Sequence, residues 1–310
     1  MDRPKILVVG SMNMDLVMYG MTDLPKWGTS AFCTEYQYAA GGKGLNQSLA
    51  VALQGADAFL AGRIGRDDNG KRLLEQAEKA GVRTDYVKRD ENGLTGLSTM
   101  NMGEDGKYFS IYAPGANRKL EIADVENALA HQSFDMIAMQ LEMPLEVVYH
   151  ICELGRKRQI PIFLDAGPAM SIPLERLRGA FVISPNEAET EALTGIAPDT
   201  MEQIEAAAEK IYREAEPGYV LLKLGSRGAY LYSREHRDYI PGFRVKAIDT
   251  TAAGDTFGAA FCVQYCMGKC LEDSIRFAHA AAAVCVTRKG GQPSIPTKKE
   301  AEEFLSEHTP

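Results

Sequence analysis

Short apolar runs alternate with helical patterns along almost the whole of this chain, and that alternation restricts the fold more than any other feature. "KILVVG" (5–10), "MIAMQLE" (136–142), "PIFLDA" (161–166), "AFVISPN" (180–186) and "YVLLKLG" (219–225) each read as a strand. None shows the alternating polarity of a half-exposed strand, so the sheet they form must be covered on both faces. Between them lie helical patterns: "GLNQSLAVALQGA", "DDNGKRLLEQAEKAG", "PLEVVYHICELGRKRQ", "NEAETEALTG" and "MEQIEAAAEKIYREA". A doubly wound α/β fold follows, with a mostly parallel sheet and helices on both faces. At 310 residues one domain spanning 1–310 is expected, because α/β architectures of this size often form one core with a small appendage.

Two segments break the rhythm. Residues about 12–40 and 94–117 lack helical period, alternate polar with apolar side chains and contain turn signals such as Glu104-Asp105-Gly106. They are expected to pair into a small separate sheet, a lid over the carboxyl ends of the main strands. No low-complexity segment, Pro- or Ser-rich linker or internal repeat separates them from the rest.

Charge and composition exclude several function classes. A net charge of -8 argues against a nucleic-acid partner, which would need clustered Lys and Arg. No run approaches the length of a membrane span, and "MDRPKILVVGSMNMD" enters a strand with no signal-peptide core before it, so a cytoplasmic location and no membrane partner are expected. The 6 cysteines are too sparse for a disulfide scaffold. Cys262, Cys266 and Cys270 are spaced to share one face of a single helix, read as small buried hydrophobes.

The stretch "DTTAAGDTFG" (249–258) holds almost no bulk, so packing cannot be its purpose. "GFRVKAID" (242–249) before it reads as a strand edge, and "TFGAAFCVQYCMGKC" (256–270) after it as a helix. Ala252, Ala253 and Gly254 therefore fall at a strand-to-helix turn, where unpaired N–H groups and the helix dipole hold an anion. Asp255 stands beside that anion, placed to accept a hydroxyl proton while a phosphoryl group is transferred. The dipole is expected to favour its ionised form and make it a weak base. An N-cap aspartate would explain Asp255 taken alone.

Other strips supply polar groups at strand ends. "GGKGLNQSLA" (41–50) lacks the spacing of a P-loop, and its Lys43 and Asn46 can meet the hydroxyls of a small polar substrate. Asn13 and Asp15 in "GSMNMD", and Glu142 in "MQLEMP", follow strands in the same way, and a carboxylate such as Asp15 can accept two vicinal hydroxyls. Asn186 and Glu189 lie one helical turn apart, a spacing that suits hydrated Mg²⁺ with phosphates or a capped acidic turn. "LKLGSRGAYL" (222–231) ends a strand in a glycine turn able to line a nucleotide.

Together and in this order, these strips resemble the ribokinase branch of the phosphofructokinase B family of carbohydrate kinases, from "VVGSMNMD" to "GGQPSIP". "DTTAAGDTF" is the specific part of the match. The resemblance implies a ribokinase-like fold with a β-lid often used as a dimer clasp, and ATP-dependent phosphorylation of a sugar 5-hydroxyl, D-ribose first. It implies that Asp255 is the base and that Ala252, Ala253 and Gly254 form the anion hole. Asn13, Asp15, Gly41, Gly42, Lys43, Asn46 and Glu142 fall on sugar-binding positions. Asn186, Lys223, Leu224, Gly225, Ser226, Arg227, Gly228, Gly254 and His279 fall on nucleotide-binding positions, with Glu189 on the magnesium and phosphate motif. A buried core histidine is the rival reading of His279. The resemblance also suggests a K⁺ loop built from Asp249 and Ser294 with the backbone carbonyls of Thr251, Cys285, Arg288 and Gly290.

Three residues depart from the family pattern. Lys223 stands where a small hydroxyl residue is usual, Asp165 where Asn is usual, and Met14 is a bulkier neighbour of Asp15, expected to narrow the sugar pocket. Other acceptors therefore stay open: 2-deoxyribose, another pentose, a ketohexose or a nucleoside. A non-catalytic sensing module on this fold would be expected to lose Asp255 or Gly254, and both are present.

Overall fold

The computed structural model describes residues 3–21, 25–103 and 108–308. In chain order the strands are β1 (Lys5–Val9), β2 (Asn13–Met21), β3 (Glu35–Gly41), β4 (Asp57–Gly65), β5 (Arg83–Asp90), β6 (Gly96–Gly103), β7 (Tyr108–Ala113), β8 (Met136–Met139), β9 (Ile162–Asp165), β10 (Val182–Ser184), β11 (Tyr219–Lys223), β12 (Gly228–Tyr232) and β13 (Arg237–Pro241). The helices are α1 (Lys43–Leu53), α2 (Asp68–Lys79), α3 (Ile122–His131), α4 (Leu145–Arg158), α5 (Glu187–Thr194), α6 (Met201–Ala215), α7 (Ala253–Cys266), α8 (Leu271–Val286) and α9 (Lys298–His308).

Nine strands form one sheet in the order β13-β12-β11-β10-β9-β8-β1-β4-β5. All its pairings are parallel except those of β12 with β11 and with β13. Side chains of successive strand residues point to opposite faces, and β1 shows the result. Ile6 and Val8 enter a core with Leu45 of α1, Phe261 of α7 and Ala278 of α8. Leu7 and Val9 enter a second core with Val148 of α4 and Ile204 of α6. Burial on both faces is why these strands read as continuous apolar runs.

The strands absent from that pattern were hidden by composition. β5 and β13 are the edges of the sheet and carry charged residues, as exposed edges do. β4 carries Arg63, paired with Asp124 and Glu121, inside an otherwise buried strand. Residues 242–249 form no strand, contrary to the pattern's suggestion. The ladder stops at Pro241, and the following segment is fastened instead by Ile248 N–H to the Val286 carbonyl at 2.7 Å.

A four-stranded sheet, in the order β3-β2-β6-β7, builds the lid from the two segments that break the α/β rhythm. The Glu104-Asp105-Gly106 turn lies outside the described residues. Register places Asn13 opposite both Gly41 and Gly96, and Asp15 opposite both Ala39 and Ser98, at the end of the lid nearest β1. Met14, between them, points to the other side of β2 and packs in the core with Leu45. It therefore does not share the face of β2 that carries Asn13 and Asp15, where it was expected to narrow a sugar pocket. Tyr36, Tyr38 and Ile111 of the lid stay exposed.

α7 begins earlier and ends earlier than the sequence pattern suggests. Cys266 closes it, so Cys270 does not share its face. Cys270 is exposed and caps α8, its Sγ accepting from Asp273 N–H at 3.4 Å. Among the described residues no helix is long and apolar enough to cross a membrane, and no group of three His, Cys, Asp or Glu side chains could hold a metal.

Candidate active site

Two helices, α1 and α7, pack together on one face of the large sheet. α1 starts from Gly42, whose φ of 91° is a conformation that favours glycine. A Cβ on Gly44 would lie 2.5 Å from the Gly10 backbone carbon, so the "GG-x-G" strip exists to seat α1 directly on the turn after β1. Leu45 N–H fastens it to the Ser11 carbonyl at 3.0 Å.

α7 starts from Ala252, a non-glycine residue at φ 63°, with no side-chain cap. Ala253 N–H turns to the Thr250 carbonyl at 3.2 Å, and the helical ladder opens with Thr256 N–H on the Ala252 carbonyl at 2.8 Å. Among the described residues no acceptor meets the N–H groups of Gly254 or Asp255. Of the three residues expected to form an anion hole, Ala253 has its N–H engaged by the Thr250 carbonyl.

Asp255 sits in the first turn of α7 and is 5% exposed. Amides from α1 hold it: Asn46 Nδ2 donates to Oδ2 at 3.0 Å and Gln47 Nε2 approaches Oδ1 at 3.4 Å. Lys43 Nζ lies 3.9 Å from Oδ1. Burial pushes the Asp255 carboxyl up to about 6, a rise that the Lys43 charge opposes and Asp165 reinforces. The expectation that the dipole would favour the ionised form is thereby corrected in direction: burial, the largest cause, raises the proton affinity of this carboxyl.

The positions expected to meet sugar hydroxyls lie at the end of the lid nearest β1. Asn117 Nδ2 donates to Asn13 Oδ1 at 2.8 Å, and Asn117 Oδ1 accepts Met12 N–H at 3.0 Å. The Asn13 side chain is also hydrogen-bonded to Tyr112. Asp15 is pushed up to about 6 by burial, against a hydrogen bond from Ser98. A Cβ on Gly41 would meet Asp15 Oδ2 at 2.0 Å, so the glycine keeps that carboxylate open. Glu142 Oε2 accepts from Ser11 Oγ at 2.5 Å and from Lys43 N–H at 3.4 Å. Asn117, Ser98 and Ser11 were not singled out in the sequence, since each is a lone polar residue with no local pattern.

Beyond Asp255 a cleft of about 730 Å³ opens, lined by Asn186, Glu189, Lys223, Gly225, Ser226, Gly228, residues 252–255 and His279. Its far wall is apolar: Phe243, Val245 and Ala247 oppose Ala282, Ala283 and Val286. Residues 243–247, which read as part of a strand edge, supply three of these lining residues. Leu224 and Arg227 do not reach the cleft. Leu224 is buried in the core, and the Arg227 guanidinium binds Glu187 and the Asp199 and Pro198 carbonyls. His279 is buried edge-on to Phe257, its Nε2 has no partner among the described residues, and burial pulls it down to about 4. It is a neutral imidazole with a free nitrogen beside the cleft.

Asn186 and Glu189 form a reciprocal capping box on α5: Asn186 Oδ1 accepts Glu189 N–H at 2.9 Å and Glu189 Oε2 accepts Asn186 N–H at 2.7 Å. Glu189 Oε1 is turned toward Gly167, where a Cβ would lie 2.5 Å from it. Behind α7, Asp249 Oδ1 accepts Thr251 N–H at 2.9 Å and Thr251 Oγ1 at 2.7 Å, and Oδ2 accepts Gly290 N–H at 2.9 Å. Ser294 Oγ donates to the Gly291 carbonyl at 2.6 Å, and the Cys285 carbonyl accepts Arg288 N–H at 3.1 Å.

Asp165 ends β9 and Lys223 ends β11, and both continue strand rows that face α7. They form a close ion pair. Two departures from the family pattern, 58 residues apart, are therefore one structural unit. Burial works against the Asp165 charge, but Lys223 and Lys43 together hold its carboxyl below the ordinary value.

Residues 3–298 match the family model for pfkB family carbohydrate kinases. The chain is 35% identical over 305 residues to a ribokinase of Haemophilus influenzae, covering 98% of this chain and 99% of that protein. It is 31% identical to a deoxyribokinase of Salmonella typhi, covering 97% and 98% respectively. Its structure superposes with a TM-score of 0.87 and 35% identity on Arabidopsis thaliana ribokinase complexed with ribose and ATP, covering 98% of this chain and 99% of that one.

Proposed function

The chain belongs to the pfkB family of carbohydrate kinases, and we propose that within it the chain transfers the γ-phosphoryl group of ATP to the 5-hydroxyl of D-ribose. The observation that carries this is the position of Asp255. It is a buried carboxylate with a raised proton affinity, between the sugar-side cluster and the cleft, beside unpaired N–H groups at the start of α7.

Asp15 and Asn13 grip the sugar through its vicinal hydroxyls, and Glu142, Lys43 and Asn46 close round it. The apolar wall takes the adenine, His279 Nε2 offers it a hydrogen bond, and the phosphates run past Ser226 toward α7. The sugar 5-oxygen attacks the γ-phosphorus, its proton passes to Asp255, and the bond to the β–γ bridging oxygen breaks. The N–H groups of Gly254 and Asp255 stabilise the charge carried by the moving group.

Asn186 and Glu189 supply oxygen donors of the kind Mg²⁺ prefers, and Glu189 has one oxygen outside the capping box. When bound, Mg²⁺ would neutralise phosphate charge there. One carboxylate, one hydroxyl and backbone carbonyls at Asp249, Ser294, Thr251, Cys285, Arg288 and Gly290 form a hard donor set suited to K⁺. When bound, K⁺ would brace the turn that carries the anion hole. The exposed lid residues Tyr36, Tyr38 and Ile111 fit a homodimer clasped through the lid. Six free cysteines fit a reducing, cytoplasmic setting.

The similarity to deoxyribokinases makes 2-deoxyribose the second reading, against which stands the Asn13–Asp15 pair, suited to an intact vicinal diol. The test is ADP release over a panel of pentoses, ketohexoses and nucleosides, with and without K⁺. Ribose is expected to give the highest kcat/KM. No turnover on ribose, with turnover on another acceptor, would overturn the choice of sugar.

A further inference from the structure

We propose that Lys223 is a phosphate-binding catalytic residue on the donor side of the transfer, and that Asp165 is the positioning residue that holds it there. This inference rests on the kinase reading above.

Lys223 Nζ is bonded to Asp165 Oδ1, lies 3.9 Å from Glu189 Oε2, and would lie 3.8 Å from a Cβ at Gly254. It therefore stands beside the unpaired N–H groups of α7, on the wall of the nucleotide cleft. Its side chain is 11% exposed. An ammonium has three donors, and among the described residues Lys223 makes one hydrogen bond. The carboxylate of Glu189, at 3.9 Å, is an ion-pair partner beyond hydrogen-bond reach, and Lys223 lines the cleft.

A purely structural role would account poorly for this arrangement. The other oxygen of Asp165 already accepts Gln47 Nε2 at 3.1 Å and faces Lys43 Nζ at 3.5 Å. Asp165 thus keeps two other partners besides Lys223, although Lys223 is the larger charge acting on it. A second buried ammonium adds desolvation cost and, in general, an ion pair of this kind contributes little net stability over a neutral substitute. What it adds is a positive charge between Glu189 and the anion hole, where the β- and γ-phosphates of ATP would arrive. In the transfer, negative charge moves from the γ-group onto the β-phosphate oxygen that leaves with ADP. A fixed ammonium on the donor side meets that charge without reorganising. Asp165, tied to Lys43 on the acceptor side and Lys223 on the donor side, sets the spacing of the two.

The test is a double-mutant cycle of Lys223→Thr, Asp165→Asn and both together, read by melting temperature, kcat, KM for each substrate, and calorimetric binding of ATP and AMP. Lys223→Thr is expected to weaken ATP binding and lower kcat by about tenfold or more, with AMP binding and the sugar KM unchanged. Asp165→Asn is expected to lower kcat with a smaller change in ATP binding. The double variant, uncharged at both positions, is expected to recover the melting temperature and keep the defect in kcat and ATP binding. Recovery of ATP binding and kcat together with stability would overturn the proposal, leaving the pair a packing device, as would a Lys223→Thr enzyme with unchanged ATP affinity. The ATP and AMP titrations need no sugar turnover. Wild-type protein that binds ATP but phosphorylates no acceptor would count against the kinase reading, while these titrations still decide the role of Lys223.

Discussion

Asp249 lies just before α7 and Asp255 in its first turn, and the molecule treats them in opposite ways. Asp249 faces backward, where Thr251 and Gly290 give it three hydrogen bonds that hold its carboxyl below the ordinary value despite partial burial. Asp255 faces forward into the site, where burial outweighs Asn46 and Lys43 and lifts it to about 6. The difference lies in the supply of donors. A carboxylate surrounded by N–H groups is a tie in the structure, and one kept short of them is a base in waiting.

The largest effect that would break this contrast is at Asp255. Asp255→Asn is expected to lower kcat by about 10²- to 10⁴-fold. Its melting temperature at neutral pH should equal or exceed that of the wild type. The folded-state pKa of Asp255 is raised, so its ionised form destabilises the fold once pH passes the ordinary carboxylate value, most fully above about 6. The advantage of the variant should fade below that window. Thermal melts at several pH values check this.

A smaller effect of opposite sign is expected at Asp249. In Asp249→Asn an amide N–H would face Gly290 N–H, a donor against a donor, at a cost of roughly 1–3 kcal/mol. Because the Asp249 carboxyl is lowered, its contribution is present above the ordinary carboxylate value and is lost as pH falls through the folded value. Urea titrations at neutral and acid pH should show the deficit shrinking in acid. Turnover should fall less than in Asp255→Asn, with any K⁺ stimulation removed.

The smallest effect sharpens the donor argument. Asn46→Ala removes the 3.0 Å hydrogen bond to Asp255 and should move the acid limb of the rate profile upward by less than about one unit. An unmoved limb would show that the amide does not set the proton affinity of Asp255.

Much of this was legible in the chain. Doubly buried strands announced the large sheet, and the bare "DTTAAGDTFG" announced the start of a helix with no side-chain cap. Other features depend on folding. Asp165 and Lys223 read as two separate departures, since nothing local links positions 58 residues apart. The proton affinity of Asp255 depends on how deeply α1 buries it, which the local dipole argument missed. Asn117 carries no local signal, yet it orients Asn13. Phe243, Val245 and Ala247 read as part of a strand edge, and only the end of the ladder at Pro241 makes them a cleft wall rather than a strand.

The most direct measurement is the pH dependence of ribose-dependent ADP release by the wild type and by folded, ATP-binding Asp255→Asn. The account predicts a wild-type rate that falls about tenfold per unit of pH below about 6, and a variant rate at least about 10²-fold lower with no such limb. A variant within tenfold of the wild type, titrating along the same limb, would contradict it.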